Sequence, residues 1–249
     1  MMESWGRTLR YNSEVIQPLW LSGEIADSIK RRKNLLPYGQ GRSYGDVCLN
    51  DGGISIHTGN LNHVMAFNRE TGVIRCEAGI TLAEILSVCV PSGWFLPVTP
   101  GTKYVSLGGA IANDVHGKNQ HDMGTFGCHL KCFQLVRSDG IYFCSPDENL
   151  ELYRSTIGGL GLTGLIAWAE FQLIPIESPY LDIETVVFDD LDDYFRLAEE
   201  KNRQCEYSIA WVGWPDKRRN VGVFMAGNHS ASISPDELAK HRVKHPRLS

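Results

Sequence analysis

The chain has 249 residues, 43% of them apolar and 21% charged, a globular composition that excludes a disordered or fibrous protein. Its 24 basic and 29 acidic side chains leave a net charge of −5, which argues against a nucleic-acid groove, since phosphate contact needs clustered Lys and Arg. Apolar runs such as Ile80 to Pro97 are broken by Glu84, Ser87, Pro91 and Ser92, short of the ~20 apolar residues that a membrane-spanning helix needs.

Ile25 and Ile29, ahead of the basic run Lys30 to Lys33, predict a short helix with a basic end. Leu35 to Tyr38 predicts a short buried strand entering a glycine-rich loop. Ile54 to His57 and Val73 to Glu77 alternate apolar and polar residues, as half-buried antiparallel strands do. Thr81 and Glu84 frame a capping box, so residues 82–90 should be helical up to Pro91. Ser106 to Asn113 reads as a loop opening a short helix. Ser138-Asp139-Gly140, set between two apolar runs, is a hairpin signal. Leu165 to Pro175 is a long apolar strand.

After Glu177-Ser178-Pro179 the texture changes. A strand over 180–188 precedes an amphipathic helix over 189–201, whose acids cluster at its N-terminal end, where the helix dipole favours them. Strands over 207–214 and 221–226 follow, then a polar tail from Asn228. The boundary falls near residue 177, giving one domain over 12–177 and a second segment over 178–249.

The N-terminus lacks the apolar stretch of a secretory leader. Seven scattered cysteines then read as reduced thiols of a cytoplasmic protein. The one tight cluster, Cys128-His129-x-x-Cys132, has no second pair to complete a zinc site, so no metal is expected.

Glycine carries the functional signal. The loop Pro37 to Asp46 holds Gly39, Gly41 and Gly45, which fit neither the Lys-Ser/Thr ending of a P-loop nor the GxGxxG spacing of a dinucleotide fold. It does offer successive backbone N–H groups beside Arg42 and Ser43, a nest suited to a pyrophosphate. The stretch Pro100 to Gly109 offers a second nest, leading into a helix whose first amides have no intrahelical acceptor. Two nests suggest one long ligand held at several points.

The motifs P-x-G-x-G-R-S-Y-G-D (37–46), P-G-T-x-x-V-x-x-G-G-A-I-A-x-D-x-H-G-K-N (100–119) and G-G-x-G-L-T-G-x-I (158–166) together resemble the PCMH-type FAD-binding oxidoreductases of the vanillyl-alcohol-oxidase family. Within it they are most similar to the branch of decaprenylphosphoryl-β-D-ribose 2-oxidase and the aldonolactone and alditol oxidases. The resemblance implies an α+β fold: a two-part FAD-binding domain, then a partial α+β substrate, or cap, domain. It implies that Gly39, Gln40, Gly41, Arg42, Ser43 and Tyr44 line the first loop, and that Gly101, Ser106, Gly108 and Gly109 form the second. Asn113, His116 and Gly117 would approach the flavin, with Gly161, Gly164 and Ile166 along the cofactor. Many relatives tether the flavin through a first-loop histidine; Ser43 and Tyr44 stand there instead, which implies non-covalent FAD.

His116 and Lys118 are the candidate catalytic residues, a near-neutral base for a substrate hydroxyl and a cation to orient the substrate. The implied activity is oxidation of a CH–OH group in a sugar, sugar alcohol or aldonolactone by hydride transfer to FAD. Relatives of this type are much longer, so the cap would be incomplete. A separate chain could supply the rest, or the chain could bind flavin without turnover.

Overall fold

Three short strands, β1 (Glu14–Ile16), β2 (Leu35–Tyr38) and β3 (Ile54–His57), form a parallel sheet with β3 in the middle. This computed structural model describes residues 2–19, 27, 29, 32, 34–216 and 219–231, and the chain divides into two units, Met1–Ile174 and Pro175–Ser249. The helix expected around 25–33 lies largely outside the described residues.

β3 corrects the sequence reading. Ser55 and Ile56 are both buried, at 0% and 2% exposure, so the strand is not half-exposed. Successive residues point to opposite faces, so burial of both means that the strand is covered on both faces, as strands of parallel sheets are. Four residues are too few for alternation to reveal this.

The second sheet of the first unit is antiparallel. Its strands are β4 (Val64–Asn68), β5 (Val73–Glu77), β6 (Leu130–Val136), β7 (Ile141–Cys144) and β8 (Leu165–Gln172), in the order β7-β6-β8-β5-β4. β5 alternates as expected, with Ile74 and Cys76 fully buried. The β6–β7 hairpin closes over Ser138 to Gly140, where the Arg137 N–H donates to the Gly140 carbonyl at 2.9 Å. β8 shifts register between Ile166 and Trp168; the intervening Ala167 carbonyl instead accepts from the Ala78 N–H at 3.0 Å.

Helix α1 (Leu82–Cys89) starts at the capping box. The Thr81 hydroxyl accepts from the Glu84 N–H at 3.2 Å, and the Glu84 carboxylate accepts from the Thr81 N–H at 2.8 Å. The helix buries Leu82, Ile85 and Cys89 and gives way at Pro91 to a 3₁₀ turn ending in Gly93, whose φ is 78°. The unit also holds helices α2 (Leu107–Ala112) and α3 (Leu150–Thr156). The N-cap of α3, Asn149, has a left-handed backbone and makes no side-chain cap bond; its amide donates instead to the Phe143 carbonyl at 2.7 Å. One core cluster joins Ile74, Leu82, Ile85, Leu107, Ile111, Phe126, Phe133 and Phe171. Burying each large apolar side chain of this kind contributes about 1.5–3 kcal/mol.

The second unit holds β9 (Leu181–Phe188), α4 (Leu191–Lys201), β10 (Tyr207–Asp216) and β11 (Arg219–His229), an antiparallel sheet in the order β9-β11-β10. Asp190 caps α4 by accepting from the Asp193 N–H at 2.8 Å. Tyr194, Leu197 and Ala198 of the helix pack on Phe188, Phe224 and Ala226. The opposite face of the sheet carries Ile183, Val187 and Trp211, all well exposed.

Candidate functional site

β2 delivers the chain into the first glycine loop. The Tyr38 hydroxyl donates to the Glu3 carbonyl at 2.6 Å, and the Trp5 N–H donates to the Ser43 carbonyl at 3.0 Å. Gly41 has φ +62°, and a β-carbon there would come within 2.6 Å of the Glu3 carbonyl and collide with the Tyr38 hydroxyl. Both facts demand glycine. Among the described residues, the backbone N–H groups of Gln40, Gly41, Arg42 and Tyr44 donate no hydrogen bond to the protein. The Arg42 guanidinium lies over the Trp5 ring, 5.6 Å from its centroid, and forms no ion pair among the described residues.

The second loop behaves differently from its sequence reading. Ser106 caps α2 by accepting from the Gly109 N–H at 3.3 Å. The Leu107 N–H donates to the Ile80 carbonyl at 2.8 Å and the Gly108 N–H to the Ala78 carbonyl at 2.7 Å. The first helical amides are therefore engaged inside the fold and are not a nest for a ligand. Their acceptors lie just beyond β5, far back in sequence, and α2 packs closely onto them. A β-carbon on Gly108 would stand 3.0 Å from that of Ala78. Gly109 meets only the Ser106 hydroxyl, at 3.0 Å, and Gly101 meets nothing.

Two clefts run along these loops. A narrow slot of about 70 Å³ is lined by Gly39, Ser43, Ser106, Gly108 and Gly109, with Gly161, Gly164 and Ile166 from the third motif. A wider cleft of about 550 Å³, within the usual range for small-molecule sites, is lined by Gly39 to Tyr44, Gly101, Ser106, Gly109, Asn113 and His116. Gly39, Ser43, Cys48, Ser106, Gly109 and Asn113 border both. The Asn113 amide is fixed by donating to the Gly109 carbonyl at 2.8 Å.

Gly117 and Lys118 line neither cleft. Gly117 meets a packing demand instead, since a β-carbon there would come within 2.5 Å of the Thr99 carbonyl. Lys118 is half-buried. Sequence reasoning missed Trp5 and Cys48. Trp5 lines the wider cleft from far upstream of the first motif, and no spacing rule could have found it. Cys48 follows the first loop by two residues and is, in sequence, one of seven scattered thiols; burial pushes its pKa up. The metal-like cluster is split, with Cys128 exposed and Cys132 buried on β6.

A parallel and an antiparallel sheet, with a glycine loop between β2 and β3 whose free amides neighbour an arginine without an ion pair among the described residues, fit an FAD-binding domain. Residues 24–145 match the FAD binding domain family, and the chain carries a PCMH-type FAD-binding domain. It is 33% identical over 213 residues to decaprenylphosphoryl-beta-D-ribose oxidase of Mycolicibacterium smegmatis, covering 84% of this chain and 44% of that protein. It is 24% identical to L-gulonolactone oxidase of Mus musculus, covering 79% and 46%. It is also 24% identical to a putative D-arabinono-1,4-lactone oxidase of Neurospora crassa, covering 86% and 37%. The chain thus spans less than half the length of these curated relatives. Each relative carries its further length in one chain, which gives no support to a separate partner chain. No helix among the described residues is long and apolar enough to cross a membrane.

Proposed function

We propose that this chain is the cofactor-holding portion of an FAD-dependent oxidoreductase that oxidises a CH–OH group of a sugar, sugar alcohol or aldonolactone. The observation that carries the reading is the row of unspent amides at Gln40, Gly41 and Arg42, beside a guanidinium without an ion-pair partner. Such a nest fits a pyrophosphate, and an arginine there adds charge-assisted hydrogen bonds. The wider cleft adjoins it, with Gly101 and Gly109 leaving room for a ring to approach the backbone. The names of the three relatives support a sugar-derived substrate.

When bound, FAD supplies the acceptor for the hydride leaving the substrate carbon. The chain's own residues handle position and proton. Arg42 and the first-loop amides hold the pyrophosphate, and the slot through Gly161, Gly164 and Ile166 holds the cofactor's extended part. His116, exposed in the wider cleft, takes the hydroxyl proton on a ring nitrogen as the carbonyl forms. Lys118 lines neither cleft, so the proposal gives it no direct contact there. Cofactor attachment is non-covalent: the first loop offers no histidine, and burial keeps the Cys48 thiol protonated and a poor nucleophile. The segment over 178–249 is read as the start of the substrate domain.

The test is anaerobic single-turnover reduction of the yellow protein by sugar alcohols and aldonolactones. Reduction, slowed about 10²–10⁴-fold by His116→Ala with FAD content unchanged, is the expected result. A chain that binds FAD yet is reduced by none of them is a flavin-binding protein without this activity.

A further inference from the structure

We propose that Trp5 is a positioning residue of the cofactor site, acting through Arg42, and that the N-terminal hairpin is therefore part of the FAD cradle. The inference rests on the FAD reading above and concerns residues ahead of position 24, where the family match begins.

The hairpin pairs Met2–Glu3 with Arg10–Tyr11. Three ties fix it to the first glycine loop. Met2 is buried against Tyr38 and Leu49. The Glu3 carbonyl accepts from the Tyr38 hydroxyl at 2.6 Å, and the Trp5 N–H donates to the Ser43 carbonyl at 3.0 Å. Gly41, at positive φ, leaves no space between the loop and Glu3.

These ties hold the Trp5 backbone in one place while its ring, 54% exposed, lines the wider cleft. The Arg42 guanidinium lies over the ring, 5.6 Å from its centroid. A guanidinium over an indole face is attracted by the ring quadrupole, and the attraction strengthens when water is displaced. Arg42 otherwise has several rotatable bonds and no ion pair among the described residues, so binding a pyrophosphate would cost it rotamer freedom. Trp5 reduces that cost by holding the guanidinium beside the free amides of Gln40 and Gly41. FAD binding and the docking of residues 2–11 are then linked.

The experiment is a double-mutant cycle on FAD affinity in the full chain, read from flavin fluorescence quenching. Trp5→Ala should weaken FAD binding about three- to tenfold, and Trp5→Phe, which keeps an aromatic face, should stay within about twofold of the parent. In an Arg42→Ala background, Trp5→Ala should cost less than about twofold, because the side chain it positions is gone. Trp5→Leu keeps apolar bulk but removes the ring, and carries the same cycle if the alanine variant misfolds. Equal losses in both backgrounds, or no loss when Arg42 is present, would overturn the inference. A parental chain that binds no FAD defeats the cofactor reading as well, whereas parental binding with an indifferent Trp5 defeats this inference alone.

Discussion

Gly39 and Ser106 stand back to back: a β-carbon on the glycine would collide with the serine hydroxyl. That contact is where the first glycine loop meets the cap of α2, and both residues border both clefts. The site therefore depends on one approach between two segments almost seventy residues apart.

Gly39→Ala should push the Ser106 hydroxyl off the Gly109 N–H. Loss of an N-cap costs about 0.5–2 kcal/mol, and the displaced loop should lose FAD affinity as well. Thermal melts and flavin titration should both fall. Gly45→Ala is the comparison: its β-carbon meets nothing, although φ is +58°, so it should lose about 1 kcal/mol and keep its cofactor.

Gly109 separates folding from binding in the opposite sense. Its backbone is helical and a β-carbon meets only the Ser106 hydroxyl, so strain at positive φ has no part here. Gly109→Ala should leave the melting temperature unchanged or slightly raised, because alanine favours a helix by up to ~1 kcal/mol over glycine. FAD binding should fall at least about tenfold, and Gly109→Val should abolish it while the chain stays soluble. Parental flavin content in the valine variant would remove the second loop from the site.

Glu84 gives a pH signature. Burial raises its pKa, but hydrogen bonds from the Thr81 N–H and hydroxyl and from the Asn62 amide outweigh this, and the net shift is downward. A carboxyl with a depressed folded pKa binds fewer protons folded than unfolded, so its stabilisation is complete above the unfolded pKa of ~4.3 and is lost as pH falls through the lower folded value. Glu84→Gln should cost about 0.5–1 kcal/mol at pH 7 and converge with the parent once the pH has fallen below the lowered folded pKa. Denaturant melts across that window check it.

Non-covalent attachment has a direct assay. Acid precipitation should leave all of the flavin in the supernatant, with a colourless pellet. A yellow pellet would point to Cys48, the one thiol bordering both clefts.

What could be read from sequence was local. Thr81 and Glu84 announce α1 because both halves of a capping box lie within one turn, and Ser138 to Gly140 announce a hairpin for the same reason. The first loop stands out in sequence as a bunch of glycines at 39, 41 and 45, although obstacles that require two of them, Ser106 for Gly39 and Glu3 for Gly41, are distant in sequence. The errors were non-local. The α2 amides seemed free because their acceptors, Ile80 and Ala78, lie more than twenty residues upstream. β3 alternates like a half-exposed strand, but the packing that buries both Ser55 and Ile56 is not written in its four residues. Trp5 was invisible because only tertiary packing brings it over Arg42.

The account turns on the first loop as the pyrophosphate cradle, and Arg42→Ala tests it most directly. The flavin-free chain is titrated with FAD at two salt concentrations, parent against variant. Hydrogen bonds to charged groups contribute about 1.5–3 kcal/mol, so the variant should bind at least about tenfold more weakly, with a flatter dependence on salt. Equal affinity and equal salt dependence in the two proteins would contradict the account, because the pyrophosphate would then lie elsewhere.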